Sequence, residues 1–204
     1  KQNFAAVHHE GALRAATAAK AAGVKRFVQM SALGASPQSP AEYARTKAMG
    51  EQAVAAAFPG ATIVRPSVVF GPEDDFFNRF AQMAMFSPIM PILGRPPHGP
   101  SFQPVYVGDV AQAIAKMLDD PATAGKTYEL GGPRTYTLAD IQHLVLDWTG
   151  RKRLVAWLPA AIVNLQAAVL GVKLKRVGRW NVERRRHAAE YNRRLRGLPL
   201  SVPP

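Results

Sequence analysis

Three side chains in the first quarter of the chain have the types and the spacing needed to exchange a proton with a substrate. Tyr43 and Lys47 are four residues apart, so on a helix they share one face, about one turn from each other. The positive charge of an ammonium stabilises a nearby phenolate, which lets a tyrosine trade protons with a hydroxyl group near neutral pH. Ser31 directly follows the apolar run 26–30, which predicts a buried strand. A hydroxyl at the carboxyl end of a strand lies where open α/β sheets place their chemistry.

The elements that must position these groups are also indicated by the sequence. Ser39 suits an N-cap, Pro40 the first helical position and Glu42 a capping box, so we expect the Tyr43/Lys47 helix to begin at Ser39. Residues 58–60 end that helix. A preceding helix over residues 3–22, with Gly23 after its end, and a strand at 61–65 complete a helix–strand–helix–strand order. This order predicts right-handed crossovers and a mostly parallel sheet.

Further elements follow towards the carboxyl terminus. We expect an amphipathic helix over 76–86 that begins at an acidic cluster, an irregular loop over 87–100, and a helix over 110–118 with Asp109 as its N-cap. Residues 126–132 indicate a strand that ends in a turn, and a helix capped by Thr137 or a neighbour begins after it. His8 and His9 face about 100° apart on a helix, so we expect surface or packing histidines and predict no metal site.

Four segments in a fixed order resemble one enzyme family. A serine after a strand, followed by Tyr-x-x-x-Lys on the next helix, is similar to the short-chain dehydrogenase/reductase superfamily. Residues 22–31, AGVKRFVQMS, resemble its helix–strand entry to the serine. Residues 63–72, IVRPSVVFGP, and 103–111, QPVYVGDVA, resemble later segments of its extended members, the NAD-dependent epimerase/dehydratase family. The order of these matches makes the resemblance more specific than the Tyr-x-x-x-Lys motif alone.

The resemblance implies a cofactor, NADP(H) or NAD(H), and roles for named residues. Lys47 would bond the nicotinamide ribose hydroxyls, Tyr43 and Ser31 would line the nicotinamide end, and the backbone of Pro66, Ser67 and Val68 would meet the carboxamide. In a catalytic relative, Tyr43 would be the general acid/base and Ser31 would polarise the carbonyl group.

The same resemblance covers only the C-terminal part of a Rossmann-like, doubly wound parallel sheet. The family's G-x-x-G-x-x-G turn, which cradles the pyrophosphate, is absent from these 204 residues. Because the chain opens inside a predicted helix without a methionine, we expect upstream sequence to precede it, and we expect the chain alone to bind dinucleotide poorly. We assign 1–72 and 101–124 to a partial NAD(P)-binding domain, 73–100 and 125–150 to elements of a small substrate domain, and 151–204 to an apolar helix with a basic tail.

One branch of the family fits best: the dehydrogenase-like alpha subcomplex subunit 9 of respiratory complex I and its bacterial homologues. Residues 43–51, 57–61, 70–74 and 103–107 carry this resemblance. It implies a cofactor-holding accessory subunit with other complex I subunits as partners, located in the cytoplasm or peripherally on the inner membrane, on the matrix side in a eukaryote. The alternative is an active NAD(P)-dependent epimerase, dehydratase or reductase that acts on a substrate similar to a sugar nucleotide. The substrate and the oligomeric state stay open.

The positive charge lies almost entirely in the last quarter of the chain. Residues 1–150 carry 13 Lys/Arg and 12 Asp/Glu, whereas residues 151–204 carry 13 and 2. The uncharged stretch 154–172 followed by the basic segment 173–196 is compatible with docking to an anionic membrane surface over 154–196. A solvated basic tail is the plainer alternative, and nucleic-acid binding is the least favoured. The chain contains no cysteine, which excludes disulfides and thiolate metal sites.

Overall fold

The fold is described from a computed structural model, which covers residues 4–92 and 101–157. A π-helical turn, Ala6–Gly11, runs directly into helix α1, and the helices are α1 (Ala12–Ala21), α2 (Glu42–Ala57), α3 (Phe76–Phe86), α4 (Val107–Asp119) and α5 (Leu138–Thr149). The strands are β1 (Val28–Met30), β2 (Thr62–Pro66), β3 (Val69–Phe70), β4 (Ile89–Ile92), β5 (Ser101–Phe102), β6 (Val105–Tyr106), β7 (Thr127–Leu130), β8 (Tyr136–Thr137) and β9 (Leu154–Trp157). These elements belong to one compact unit, Lys1–Met90 with Pro96–Val155, except for the last residues of β4 and β9.

A three-stranded parallel sheet in the order β1-β2-β7 is the frame of this unit. Val28 pairs with Thr62 between β1 and β2, and Ile63 pairs with Thr127 between β2 and β7. Helix α2 connects β1 to β2, as a parallel crossover requires. The predicted α/β fold with a mostly parallel sheet is thereby confirmed. β7 is part of this sheet. Its residues lie within the range 125–150, for which elements of a substrate domain were predicted.

Shorter strand pairs surround the sheet. β3 pairs with β6 in parallel, β5 pairs with β8 in antiparallel fashion, and β4 pairs with β9. A 3-10 turn, Pro121–Thr123, follows α4, and Arg26 donates from its guanidinium to carbonyl oxygens at the end of α4 and in this turn. These bonds fix the entrance to β1 against α4.

The buried side chains form separate clusters that hold the helices in place. The first cluster packs α1 and α2 on β2 and consists of Ala12, Ala16, Val54, Phe58, Ala61 and Ile63. Two further clusters join α3 to α5, one around Phe77, Ile141 and Val145, the other around Ala84, Met90 and Leu146. Because Ala12 and Ala16 on α1 and Ala57 on α2 are small, these two helices can approach each other closely.

The predicted start of α2 is wrong by two to three residues. The N-cap is Ala41 rather than Ser39, no side chain caps the helix, and Pro40 lies outside it. The Ser39 hydroxyl accepts a hydrogen bond from the backbone N–H of Ala41, and Arg45 donates to the carbonyl oxygens of Ser39 and Pro40. Ser39 therefore forms a local turn, and a guanidinium from inside the helix binds the preceding carbonyls.

Other predicted boundaries also need correction. α4 begins at Val107 after its N-cap Tyr106, so Asp109 lies in the first turn and is not the cap. The loop predicted over 87–100 contains β4, and residues 93–100 lie outside the described range. The apolar helix predicted from residue 154 is contradicted at its start, because Leu154–Trp157 is the strand β9. The strand β1 is only half-buried, since it lies at the edge of the described sheet.

Several predicted helix ends are confirmed. Gly23 adopts the left-handed φ of 69° immediately after the end of α1. Thr137 and Asp140 form a reciprocal capping box at the start of α5. At the acidic cluster before α3, Asp74 accepts a 2.5 Å hydrogen bond from the backbone N–H of Phe77, so an acid stabilises this helix start, as expected.

Candidate functional site

Helix α2 brings Tyr43 and Lys47 together on one face. The Lys47 Nζ lies 5.8 Å from the centroid of the Tyr43 ring, within the range of a cation–π contact. The Tyr43 side chain is 45% exposed, so its phenol is accessible from outside the protein. The predicted juxtaposition of a phenol and an ammonium is therefore present.

Ser31 lies where the sequence placed it, directly after β1. Its backbone N–H donates to the carbonyl of Val64, which extends the pairing between β1 and β2 by one residue. The Ser31 hydroxyl is buried, and none of the described residues, Tyr43 and Lys47 among them, forms a hydrogen bond with it. A buried hydroxyl without a partner costs about 1–3 kcal/mol, so this oxygen is free for a group that the chain itself does not supply.

The backbone at Pro66, Ser67 and Val68 is already engaged within the protein. The carbonyl of Pro66 accepts from Leu33 N–H at 2.9 Å. The N–H of Ser67 donates to Leu130, and the carbonyl of Val68 accepts from Val105 N–H at 2.9 Å. A carboxamide at this position would have to share these carbonyls or bind the remaining polar groups, such as the Ser67 hydroxyl.

Parallel pairing places the carboxyl ends of β1, β2 and β7 at one edge of the sheet. Ser31, Pro66 and Gly131 lie at or just after the carboxyl ends of β1, β2 and β7. The backbone N–H of Ser36 in the loop after β1 donates to the carbonyl of Ala44, which ties the first turn of α2 to the same loop. This carboxyl edge is the usual ligand-binding edge of an open α/β sheet.

The Lys47 ammonium carries an uncompensated charge within the described residues, because no carboxylate there lies in ion-pair distance of it. Partial burial lowers the pKa of Lys47, and the negative charge of Glu51 on the same helix partly offsets that effect. Glu51 is instead bound by Arg65 on β2. Lys47 is thus a hydrogen-bond donor that the protein leaves available.

A protein-family model matches the part of the sequence that carries these residues. The model of the NAD dependent epimerase/dehydratase family matches residues 1–131, which include Ser31, Tyr43, Lys47 and the strands β1, β2 and β7. The chain belongs to this family. The predicted resemblance to extended short-chain dehydrogenases is thereby confirmed.

Curated members of the epimerase/dehydratase family that resemble this chain include complex I subunits. The chain is 40% identical over 172 residues to the NADH-ubiquinone oxidoreductase 40 kDa subunit, mitochondrial, of Neurospora crassa, covering 84% of this chain and 44% of that protein. It is 39% identical over 162 residues to NADH dehydrogenase [ubiquinone] 1 alpha subcomplex subunit 9, mitochondrial, of Arabidopsis thaliana, covering 79% of this chain and 40% of that protein. The chain thus spans less than half the length of these relatives.

Solved structures of the family confirm the fold. A dTDP-glucose 4,6-dehydratase of Bacillus anthracis, solved in complex with NAD, superposes with a TM-score of 0.65 at 16% identity. The match covers 76% of this chain and 56% of the dehydratase chain. At this identity the likeness concerns the fold alone.

The carboxyl-terminal quarter matches a different family. The model of the DegT/DnrJ/EryC1/StrS aminotransferase family matches residues 159–204. This segment lies outside the described residues, as do most of the predicted membrane-docking stretch 154–196 and the basic tail. Along the described parts of the chain, none of the helices combines the length and the apolar character that crossing a membrane requires.

One further residue of the site was missed by the sequence analysis. His8, in the π-helical turn before α1, places its Nδ1 2.9 Å from the hydroxyl of Thr46. Its ring meets the Tyr43 ring edge to face, with centroids 5.2 Å apart, and stacks on Phe4 at 5.3 Å. His8 is therefore a packing histidine, as predicted, but its packing partner is the candidate catalytic tyrosine. No local signal reveals this contact, because His8 and Tyr43 lie on separate helical segments that are far apart in sequence.

The direction of the hydrogen bond between Thr46 and His8 depends on the tautomer of the His8 ring. The single hydroxyl hydrogen of Thr46 can be donated to the carbonyl of Glu42 or of Tyr43, at 2.9 and 3.1 Å. When the hydroxyl hydrogen is used in this way, the Thr46 oxygen accepts from His8 Nδ1–H and the ring keeps its lone pair on Nε2; in the other tautomer the hydroxyl donates to Nδ1. Burial, followed by the positive charge of Lys47, lowers the pKa of His8, which favours the neutral form.

A cleft of about 350 Å³ lies farther along the chain, between β3 and the start of α4. It is lined by Val69, Phe70, Gly71, Pro72, Glu73, Asp74 and Val107. Its walls are mostly apolar, as expected for a pocket that holds an organic ligand. Within residues 4–92 and 101–157, no cluster of histidine and carboxylate side chains has the arrangement of a metal site.

Proposed function

We propose that this chain forms the nicotinamide end of an NAD(P)(H) site in a dehydrogenase-like accessory subunit of respiratory complex I. The observation that supports the proposal is a set of three polar groups, on α2 and directly after β1, that have no hydrogen-bond or ion-pair partner among residues 4–92 and 101–157. This set consists of the buried, unpartnered Ser31 hydroxyl, the unpaired Lys47 ammonium and the accessible Tyr43 phenol. Each of these groups can bond a ligand without first breaking a bond within the protein.

The roles of the residues follow from their chemistry. The Lys47 ammonium would donate to the hydroxyl groups of the nicotinamide ribose, and Tyr43 beside it would bond the same ribose or a substrate. Ser31 would satisfy its buried hydroxyl by bonding a carbonyl or hydroxyl oxygen. A bound nicotinamide would supply the capacity to accept or donate hydride.

The glycine-rich turn that binds pyrophosphate at a helix N-terminus is absent from these 204 residues. The residues present fit the nicotinamide end of a dinucleotide and leave its phosphates without a binding turn. We therefore propose that tight binding requires the half of the fold that the longer relatives contain. Two of these relatives are named as complex I subunits, which supports the proposed assembly and its subunits as partners.

The role of Lys47 can be tested in a version of the protein extended upstream by a glycine-rich half. Lys47→Met should lower the amount of nucleotide that co-purifies, because the donor to the ribose is lost. Lys116→Met, at the distant end of α4, is the matched control and should leave the content unchanged. Equal nucleotide content in the unchanged protein, Lys47→Met and Lys116→Met would show that Lys47 does not hold the cofactor.

A second function is favoured by the exposure of Tyr43. A phenol that is 45% exposed beside an ammonium can reach a substrate, as an active NAD(P)-dependent epimerase, dehydratase or reductase requires. Tyr43→Phe separates the two functions, because it should abolish turnover in an enzyme and leave subunit assembly intact in an accessory protein. Tyr106→Phe is a control of equal exposure, since Tyr106 is 46% exposed.

We also propose that the protein acts at the periphery of the inner membrane. The charge of residues 151–204, with 13 Lys/Arg against 2 Asp/Glu, supports docking of residues 154–196 to anionic headgroups. The strand β9 and the aminotransferase-family match of residues 159–204 argue against a simple amphipathic anchor. Flotation with anionic vesicles, made of phosphatidylglycerol and phosphatidylcholine, tests whether the chain binds a membrane surface. The 204-residue chain should float with the anionic vesicles, and a chain that ends at residue 157 should not.

A further inference from the structure

Lys47 has a potential ion-pair partner on its own helix that it does not use. Glu51 follows Lys47 by four residues, a spacing at which side chains on a helix lie within reach of each other. In the described structure Glu51 pairs instead with Arg65. The Arg65 Nη2 donates to Glu51 Oε2 at 2.7 Å, and Arg65 Nε donates to Oε1 at 2.9 Å. Both oxygens of the carboxylate are therefore occupied by one guanidinium.

The position of Arg65 is set by the sheet, not by α2. Arg65 lies on β2, and its Nη1 also reaches Glu129 on the neighbouring strand β7 at 3.5 Å. The Glu51 side chain is only 11% exposed and that of Arg65 27%, so the pair is largely shielded from water. A two-bond guanidinium–carboxylate contact fixes the orientation of both groups more firmly than a single ammonium can.

Few charged or titratable groups lie around Lys47 in the described structure. Tyr43 lies one turn away on α2, and His8 approaches from the π-helical turn before α1. The lowered pKa of His8 favours its neutral form, which carries no charge. Among the described carboxylates, Glu51 is the one whose charge raises the pKa of Lys47.

We propose that Arg65 is a positioning residue for Lys47: by binding both oxygens of Glu51, it keeps this carboxylate from pairing with the Lys47 ammonium, which stays available to a ligand. The identity of that ligand, the ribose hydroxyls of a nicotinamide nucleotide, rests on the proposed function. The competition between Arg65 and Lys47 for Glu51 is a property of the chain alone. Without Arg65, the carboxylate would turn to the ammonium four residues before it.

Competitive acetylation of the lysines in the 204-residue chain tests this competition directly. Acetic anhydride reacts only with the neutral amine, so peptide mass spectrometry reports the deprotonated fraction of each lysine. At about pH 8, where lysines are still mostly protonated, Arg65→Met should slow the labelling of Lys47 about twofold to tenfold. The double variant Arg65→Met/Glu51→Gln should restore the rate, because the competing carboxylate is gone.

Two controls separate this effect from a general change in structure. Arg14→Met breaks the exposed Arg14–Glu10 pair and should leave the labelling of Lys47 unchanged. Lys20, Lys25 and Lys116 serve as internal references in every sample. If Arg65→Met does not fold, Arg65→Lys replaces it and should slow the labelling less, since a lysine keeps the charge without the planar fork.

The proposal is overturned by either of two results in folded variants. One is unchanged labelling of Lys47 in Arg65→Met, and the other is slowed labelling that Glu51→Gln does not restore. Because no nucleotide is added, these results do not depend on the proposed function. Loss of nucleotide binding in the Lys47→Met protein, measured separately, would still support a cofactor site if Arg65 proved unimportant.

Discussion

The Nδ1 of His8 lies 2.9 Å from the hydroxyl of Thr46, so a bond between two helices joins the π-helical turn to the face that carries Tyr43 and Lys47. Burial and the nearby Lys47 charge lower the pKa of His8, which favours the neutral ring in this contact. The candidate site residues lie on three segments: the π-helical turn, α2 and the loop that begins at the carboxyl end of β1.

Acidification should destabilise the fold through His8. Its pKa in the folded chain is lowered from 6.5 by burial and by Lys47, so the unfolded chain takes up the proton first. Stability should thus fall as the pH drops through 6.5 towards the folded pKa, and level off below it. Chemical denaturation of the wild type and of His8→Gln, from above pH 6.5 to below it, measures whether the free energy of unfolding falls with pH only when His8 is present. His9→Gln is the control, and an equal pH dependence in all three proteins would contradict the role of His8.

Gly50→Ala should disturb the contact between α2 and the π-helical turn. A methyl group at Gly50 would overlap the backbone carbonyl oxygen of His8, and a backbone atom cannot rotate away. We expect a loss of roughly 1–3 kcal/mol, typical of overpacking in a close contact, and a weaker His8–Thr46 bond. Gly60→Ala is the control, because the nearest atom to a methyl group there is a phenylalanine side-chain atom at 3.8 Å. Urea unfolding that shows the same stability for both variants would argue against the close approach.

Ser31→Ala should separate function from stability. The Ser31 hydroxyl is buried without a partner, so its removal relieves an unsatisfied polar group instead of breaking a bond. We expect the free energy of unfolding to stay equal or to rise by up to about 1 kcal/mol, while nucleotide content of the upstream-extended protein falls. A clear loss of stability in thermal unfolding would mean that Ser31 has a structural partner, and unchanged nucleotide content would remove it from the site.

The capping box of α5 should contribute a measurable and pH-dependent stability. Thr137→Ala removes the side chain that accepts from Asp140 N–H, which costs about 1 kcal/mol for a typical cap. Hydrogen bonds from Thr137 lower the pKa of Asp140 below 3.8. The contribution should therefore be present above pH 3.8 and disappear as the pH falls through the folded pKa. Denaturation curves for Thr137→Ala and Thr149→Ala should differ near neutral pH, and coincident curves would contradict the cap.

The sequence was sufficient for the order of the elements and for the neighbouring positions of Tyr43 and Lys47 on α2. Periodicity and turn residues predicted the parallel sheet, α3 and the caps at Gly23, Thr137 and the acidic cluster, because these depend on neighbouring residues. The start of α2 was missed, since Arg45 reaches back to bind the carbonyls of Ser39 and Pro40. His8, Arg65 and Gly50 act through partners on other elements, and local patterns do not reveal such contacts.

The central claim is tested most directly by the nucleotide content of two purified proteins, this chain and the same chain extended upstream by a glycine-rich half. Fluorescence and mass spectrometry identify any NAD(P)(H) that co-purifies. We expect nucleotide in the extended protein only, because under the proposed function Ser31, Tyr43 and Lys47 would hold the nicotinamide end, and the phosphates would need the glycine-rich turn. Extended protein that is folded and carries no nucleotide, even after incubation with NADPH or NADH, would contradict the assignment of these residues to a cofactor site.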